Sequence, residues 1–393
     1  GVLGDQNIGD LSYVVPIAQN LNYVTNGPSG AQVVGGGATQ VRLANENLRW
    51  QRNRSTDIGF DLGLFGNALS ITADYYVNDA DQILVNLPLP ATLASRDNPA
   101  FNAGEVRNAG FELGATHRVE RGAFRLNSTF NLTTTANRVM SLGNGGQPIR
   151  AGIEGVATTA VGQPIGAFFV RRTAGLFQSD ADVQAWKNSK GQVIQPNARP
   201  GDLRFVDAND DGAINDQDRV FTGSPIPKLT TGLFLDSRYR SFDVGLNLRG
   251  AFGQQVFNVV KLNTERVTGL GNVRAGYNPW TPTNTNTSTP RAIFGDATNG
   301  DPASDRWIED ADFVRIQNVI LAYRIPERLA QRLGTGVSSP RIYLNVQNVA
   351  TFTGYSGFDP EVLGFGDPLA RGIDDGLIYP NPRTITFGLD LRF

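Results

Sequence analysis

The chain has 393 residues, with 35 Lys plus Arg, 37 Asp plus Glu, one histidine and no cysteine. A formal net charge of -2 offers no attraction to nucleic acid. The lack of cysteine excludes disulfides, thiolate nucleophiles and zinc–thiolate sites, and the lone His117 excludes a multi-histidine metal centre within the chain.

The chain opens at Gly1 with neither a start methionine nor a signal peptide, so the N-terminus reads as a cut, with any export signal lost upstream. No segment approaches about 18 consecutive apolar residues, the length a membrane-spanning helix needs, whereas a spanning β-strand needs only about 9–11 residues of alternating character. Gly35-Gly36-Gly37 lacks the Lys and helix of a phosphate loop and reads as a flexible loop. Period-two alternation then takes over. Ile58, Phe60, Leu62 and Leu64 alternate with Gly59, Asp61 and Gly63, and after a turn at Phe65-Gly66-Asn67 the pattern resumes in Leu69, Ile71, Ala73, Tyr75 and Val77. Phe111, Leu113 and Ala115 lead through Val119–Gly122 to Phe124, Leu126, Phe130 and Leu132, whose other face carries Arg125, Asn127, Thr129 and Asn131. Leu233 and Leu235 precede a turn at Arg240-Ser241, and Phe242, Val244, Leu246 and Leu248 follow. Asp312–Ile325 has apolar residues on both faces but still reads as a strand, with helical turns at Glu327–Leu333 after Pro326. Ile342, Leu344 and Val346 alternate again, as do Ile385, Phe387, Leu389, Leu391 and Phe393. Short extra strands are possible at Ala167–Arg172 and Leu203–Val206.

Arg, Asp and Asn in mid-strand suit a water-filled lumen better than the dry interior of a soluble sandwich. The links agree. If the last strand ends in the periplasm, the shorter links at 65–67, 119–122, 240–241 and 326–339 share one side, and the long ones at roughly 80–106, 135–227, 254–311 and 350–382 share the other. Short turns on one side and long loops on the other describe an all-β, antiparallel transmembrane β-barrel with long extracellular loops. The Pro- and Thr-rich run Pro279–Thr287 falls in one of them.

Three further features bear on function. The final strand, ending on Phe393, has the form that barrel-assembly machinery of Gram-negative bacteria is expected to recognise. Residues 207–218, inside the long excursion 135–227, have the oxygen spacing of a calcium loop. Asp207, Asn209 and Asp211 would give side-chain oxygens, Gly212 the sharp turn, Ala213 its carbonyl, Asn215 an oxygen directly or through water, and Asp218 the closing carboxylate. Asp218 is one methylene shorter than the usual Glu and no convincing helices flank the loop, so a structural calcium is expected rather than a sensor; the competing reading is a solvated turn. Trp50, Tyr75, Tyr76, Phe124, Phe242, Trp307 and Tyr323 are candidates for interfacial girdles or for ordinary packing. His117, near a strand end, reads as interfacial or exposed.

Gly201–Asp207, the loop after it, Asp218-Arg219 and Gly223–Pro227 resemble the SusC/RagA family of TonB-dependent outer-membrane transporters. So do Asn45–Trp50, Asp57–Asp61, Gln347–Val349, Tyr355–Glu361 and Tyr379–Phe393, in order along the chain. The resemblance implies a C-terminal part of a barrel of about 22 strands, with the N-terminal plug domain and TonB box lying outside this chain. An isolated piece would leave two unpaired edges, which hydrocarbon does not tolerate, so a fragment of a longer gene product is inferred. The implied function is TonB-dependent import of oligomeric nutrients, glycans or peptides, across the outer membrane of a Gram-negative bacterium. The implied partners are the TonB complex, a SusD-like lipoprotein lid and outer-membrane lipid. The alternatives are a siderophore receptor or passive porin, a secreted calcium-binding carbohydrate-binding or adhesion module, and an outer-membrane hydrolase, which the single badly placed histidine disfavours.

Overall fold

The structure, a computed structural model, describes residues 2–5, 17–26, 32–40, 45–86, 100–102, 104–267, 272–330, 338–362, 364, 367–377 and 379–392. Phe393 and residues 331–333 of the expected helical turns lie outside the described residues; Glu327–Ala330 is helical. No helix among the described residues is long and apolar enough to cross a membrane.

All nine anticipated strands form, and a tenth precedes them. They are β1 (Val2–Asp5), β2 (Gln51–Leu64), β3 (Leu69–Asp81), β4 (Glu105–Arg121), β5 (Phe124–Thr134), β6 (Leu229–Tyr239), β7 (Phe242–Phe252), β8 (Phe313–Arg324), β9 (Ser338–Thr353) and β10 (Thr384–Arg392). Each pairs antiparallel with the next in this order, in an 11-stranded sheet completed by Ala136–Ser141, which continues β5 along β4. The short turns rest on left-handed backbone at Phe65, Gly66 and Asn67, at Gly122 and at Arg240.

Register sorts the side chains onto two faces. Ile58 lies opposite Tyr75, Leu113 opposite Leu132, Leu233 opposite Leu248, Leu246 opposite Val319 and Leu344 opposite Phe387. This apolar face is not covered: Ile58 is 72% exposed and Phe387 77%. A second sheet pressed on it, as a soluble module requires, is absent among the described residues. The mixed character of Asp312–Ile325 has a cause. The register with both neighbours shifts at Gln317, so the apolar series passes from Val314 and Ile316 to Val319, Leu321 and Tyr323. Opposite it, Asn348 takes a left-handed φ of 52°. One inserted residue changes the parity of everything after it.

The aromatic expectations divide. Phe124, Tyr239, Phe242 and Tyr323 stand side by side on the apolar face at the turn end, with the Phe242 and Tyr323 rings 5.0 Å apart. Tyr75 and Trp50 are exposed nearer the loop end. Tyr76 does not belong to a girdle: it lies on the polar face, its hydroxyl donates to the Thr134 carbonyl, and a Cβ at Gly110 would come within 2.7 Å of it. Trp307 does not either, being fully buried far from the sheet's apolar face. Gly35-Gly36-Gly37 is also corrected. It lies in the strand Gln32–Gln40, paired with Ile17–Asn26, where Tyr23 faces Gly35 and a Cβ there would meet the Tyr23 ring at 3.2 Å. Glycine here makes room for an aromatic neighbour rather than giving slack.

The long links at 135–227, 254–311 and 350–382 are folded over their described residues. Strands Ala167–Arg171 and Leu203–Phe205 form as anticipated, with Arg219–Gly223, Gln255–Asn258 and Ile373–Asp374 beside them in small sheets. Three excursions share one core: Val156, Phe168 and Val170 from the first, Phe257, Leu262 and Trp307 from the second, Ala370 and Ile373 from the third. A second cluster joins Leu176, Leu203 and Phe205 to Trp280, so the Pro- and Thr-rich run is packed loop. Together they make an outer body at the loop end of the sheet.

Candidate functional site

Two regions carry chemistry: the polar face of the sheet and the outer body above it. At the turn end of the polar face, Asp243 accepts from Arg238 at 2.8 Å and Arg324 at 2.9 Å, with Arg341 at 3.3 Å. Arg341 also reaches Asp390 at 3.0 Å. Higher up, amides and hydroxyls join charges such as Asp74 opposite Glu112: Asn318 donates to Asn345 at 2.6 Å, and Thr116 and Thr129 lie 3.3 Å apart. The apolar face has its own boundary. Near the loop end it turns charged, with Arg107 on Asp79 at 2.7 Å and Arg52 on Asp81 at 2.9 Å. β4, with 17 residues, is about 56 Å long at roughly 3.3 Å per residue, far longer than an apolar band of about 25 Å. The charged rows mark where that band stops.

At the loop end of the polar face lies a cavity of about 470 Å³, lined by Asn247, Arg249, Arg315, Gln317, Asn318, Gln347, Asn348, Glu361 and Asn381. Its charges are paired. Buried Arg315 donates to Asp359 and Glu361, each at 2.6 Å, and Arg249 reaches Glu361 at 2.8 Å. Asn381 donates to the other Asp359 oxygen at 2.9 Å. Sequence reasoning missed this site. The signal was present in the apolar residues on both faces of Asp312–Ile325, which a bulge explains.

The outer body is stitched by buried ion pairs. Arg171 donates to Asp301 at 2.7 Å and 2.9 Å and to Asp216 at 2.9 Å. Burial alone would lower the Arg171 pKa, but Asp301 and then Asp216 outweigh it and raise it. Burial would raise Glu309, yet hydrogen bonds from Lys261 and Ser356 hold its carboxyl below the ordinary value. Glu265 binds Arg306 and Arg274, and Tyr355 donates to Asp374. A wide cavity of about 820 Å³ runs along this body beside Arg171, Asp216, Arg291 and Asp296.

The calcium-like loop lies at the edge of that cavity. Asp207 accepts from the backbone N–H of Asp211 at 3.2 Å and of Gly212 at 2.8 Å. Asn209 accepts from Asp211 N–H, and Asp211 from Ala213 N–H. The Asn209 amide and the Ala213 N–H hold the Asp211 carboxyl below the usual range. Fully buried Asp218 accepts from Ala208 N–H and Asn215 N–H, and Asn215 caps the short helix Asp216–Asp218. Asp207, Asn209, Asp211, Asn215 and Asp218 are therefore tied into one hydrogen-bonded ring with the Ala213 amide. Among the described residues no three acidic or histidine side chains converge as a metal cluster. The side-chain oxygens here are carboxylate and amide, types a hard cation takes. His117 is exposed on the apolar face between Leu69 and Ser128, with no carboxylate paired to it among the described residues.

Comparison with known proteins agrees with this geometry. The family model described as TonB dependent receptor-like, beta-barrel matches residues 11–349. TonB-dependent receptor P3 of Formosa agariphila is 31% identical over 370 residues, covering 91% of this chain and 36% of that protein. TonB-dependent receptor SusC of Bacteroides thetaiotaomicron is 26% identical over 406 residues, covering 100% of this chain and 37% of that protein. The RagAB peptide transporter shares the fold, with a TM-score of 0.77 at 20% identity over 100% of this chain and 40% of that one. The chain thus spans little more than a third of the curated relatives it matches.

Proposed function

We propose a role in nutrient import from a plain premise: the chain belongs to the TonB dependent receptor-like β-barrel family, a family of transport receptors rather than enzymes. The protein carrying it imports oligomeric nutrients, glycans or peptides, across the outer membrane of a Gram-negative bacterium, with energy from the TonB complex and a SusD-like lipoprotein on its outer face. One observation carries this reading. The same strands show uncovered apolar residues on one face and paired Arg, Asp, Asn and Thr on the other, which suits lipid outside and water inside. The peptide cargo of the RagAB transporter, which shares the fold, favours an oligomeric substrate over a siderophore. The test is uptake of labelled oligosaccharide and peptide pools by cells expressing the intact receptor, with and without TonB. Uptake that needs TonB supports import. Uptake indifferent to TonB identifies a passive porin, and uptake of ferric siderophore alone a siderophore receptor.

A structural calcium in residues 207–218 is part of the same reading. Asp207, Asn209, Asp211, the Ala213 carbonyl, Asn215 and Asp218 would hold it. The oxygens of Asp207 and Asp218 each accept one backbone N–H and keep a further lone pair, and Gly212 has a left-handed φ of 89° at the sharp turn. Calcium is expected to slow proteolysis of residues 180–220 and a chelator to restore it. Asp207→Ala should remove the difference, and equal cleavage with and without calcium would dismiss the metal.

A further inference from the structure

Resting on the import reading, we infer that the cavity at the bulge is a substrate subsite for a neutral, hydroxyl-rich oligosaccharide. Its floor is a row of amides. Asn247 lies opposite Asn318, and Asn318 opposite Gln347, on three adjacent strands. The irregularity at Gln317 and Asn348 adds two more amides to the same cavity, since both line it with their neighbours. Asn381 completes the set from the last long link.

These amides are available. The side chains of Asn247, Gln317 and Gln347 make no hydrogen bond among the described residues. Asn318, Asn348 and Asn381 each spend one N–H, on Asn345, the Pro382 carbonyl and Asp359, and keep their oxygens. An amide offers a donor and an acceptor together, as a sugar hydroxyl does. Charge selects further. Arg249 and Arg315 are matched by Glu361 and Asp359, so the cavity has no surplus charge to draw a uronate, a sulfate or a charged peptide. Each of the three strands at this level has a neighbour on both sides, and only Gln317, Asn348 and Val349 at the bulge fall outside the ladders, so no free strand edge is offered to an extended peptide.

The test uses the intact receptor purified in detergent, titrated with a pool of neutral hexasaccharides, a trigalacturonate and an octapeptide pool. Gln317→Ala with Gln347→Ala is the variant, because neither side chain supports the fold by a hydrogen bond; Asn131→Ala, outside the cavity on the same face and likewise without a side-chain hydrogen bond among the described residues, is the control. Loss of two ligand hydrogen bonds should weaken the hexasaccharides about tenfold, while the control and the melting temperature stay unchanged. Hexasaccharide affinity unchanged in the double variant, or binding of only the acidic or peptide probes, overturns the inference. TonB-dependent uptake of those other probes would still leave the import reading intact. Failure of every probe to bind or enter removes both.

Discussion

Alternation of apolar residues means opposite things in the sheet and in the outer body. In β7 and β8, Leu246, Leu248, Val319 and Leu321 stand on a face that nothing among the described residues covers. In Ala167–Arg171, Phe168 and Val170 alternate as regularly, yet both are fully buried against Phe257 and Trp307. The period reports only that a strand has two unlike faces. Which face meets the chain's own atoms depends on what surrounds it, and in the sheet the apolar partner is lipid. The body is held by a dry core and buried ion pairs, the sheet by its ladders and its bilayer.

The sharpest way to break this contrast is to remove a core anchor of the body. Trp307→Ala should cost about 3–5 kcal/mol through the cavity it leaves. Limited proteolysis is expected to cut the three long links readily, while heat-modifiable migration on gels shows the barrel still closed. Simultaneous loss of both would show that the two regions are one folding unit. Next in size is a charge on the lipid side. Leu246→Arg should cost about 2–4 kcal/mol near the membrane midplane, and Asn131→Arg on the polar face less than about 1 kcal/mol, read from urea unfolding in lipid vesicles. Equal costs would mean the two faces do not meet different solvents. The smallest effect is in acid. The Glu309 carboxyl is held below its ordinary value by Lys261 and Ser356, so its contribution is complete above the unfolded value of about 4.3 and fades as the pH falls through the lower folded one. Thermal melts of the outer body should therefore drop below about pH 4.3, and Glu309→Gln should flatten that slope. A slope unaltered by the substitution would assign it to other carboxylates.

Much of the sheet was legible because each strand announces itself locally, through alternation and a tight turn; Leu62, Leu64, Leu69 and Ile71 around Phe65–Asn67 are enough to set a hairpin. The body was not: Leu203–Phe205 and Ala167–Arg171 could be read one at a time as short strands, but not that Phe257, Trp307 and Ile373 from distant links close on Phe168 and Val170. The amide cavity escaped for another reason. Whether Gln317 faces lipid or water depends on a register shift that only neighbouring strands define. Trp307 shows the same limit, since an aromatic beside a strand looks alike whether it anchors in an interface or in a core. That residues 207–218 form one hydrogen-bonded loop could be anticipated because all its members lie within twelve residues of chain.

The shared core also sets an order of events. Val156 and Phe168 are enclosed partly by Ala370 and Ile373, and Phe257 pairs in parallel with Ile373. Contacts so far apart along the chain close late, because a large stretch must first be brought to the surface. Until residues 370–373 are in place, Val156, Phe168 and Phe257 lack part of their cover. A chain shortened in its last long link would thus keep its ladders while showing greasy side chains to water, so susceptibility of the first two links to protease reports on the integrity of the third.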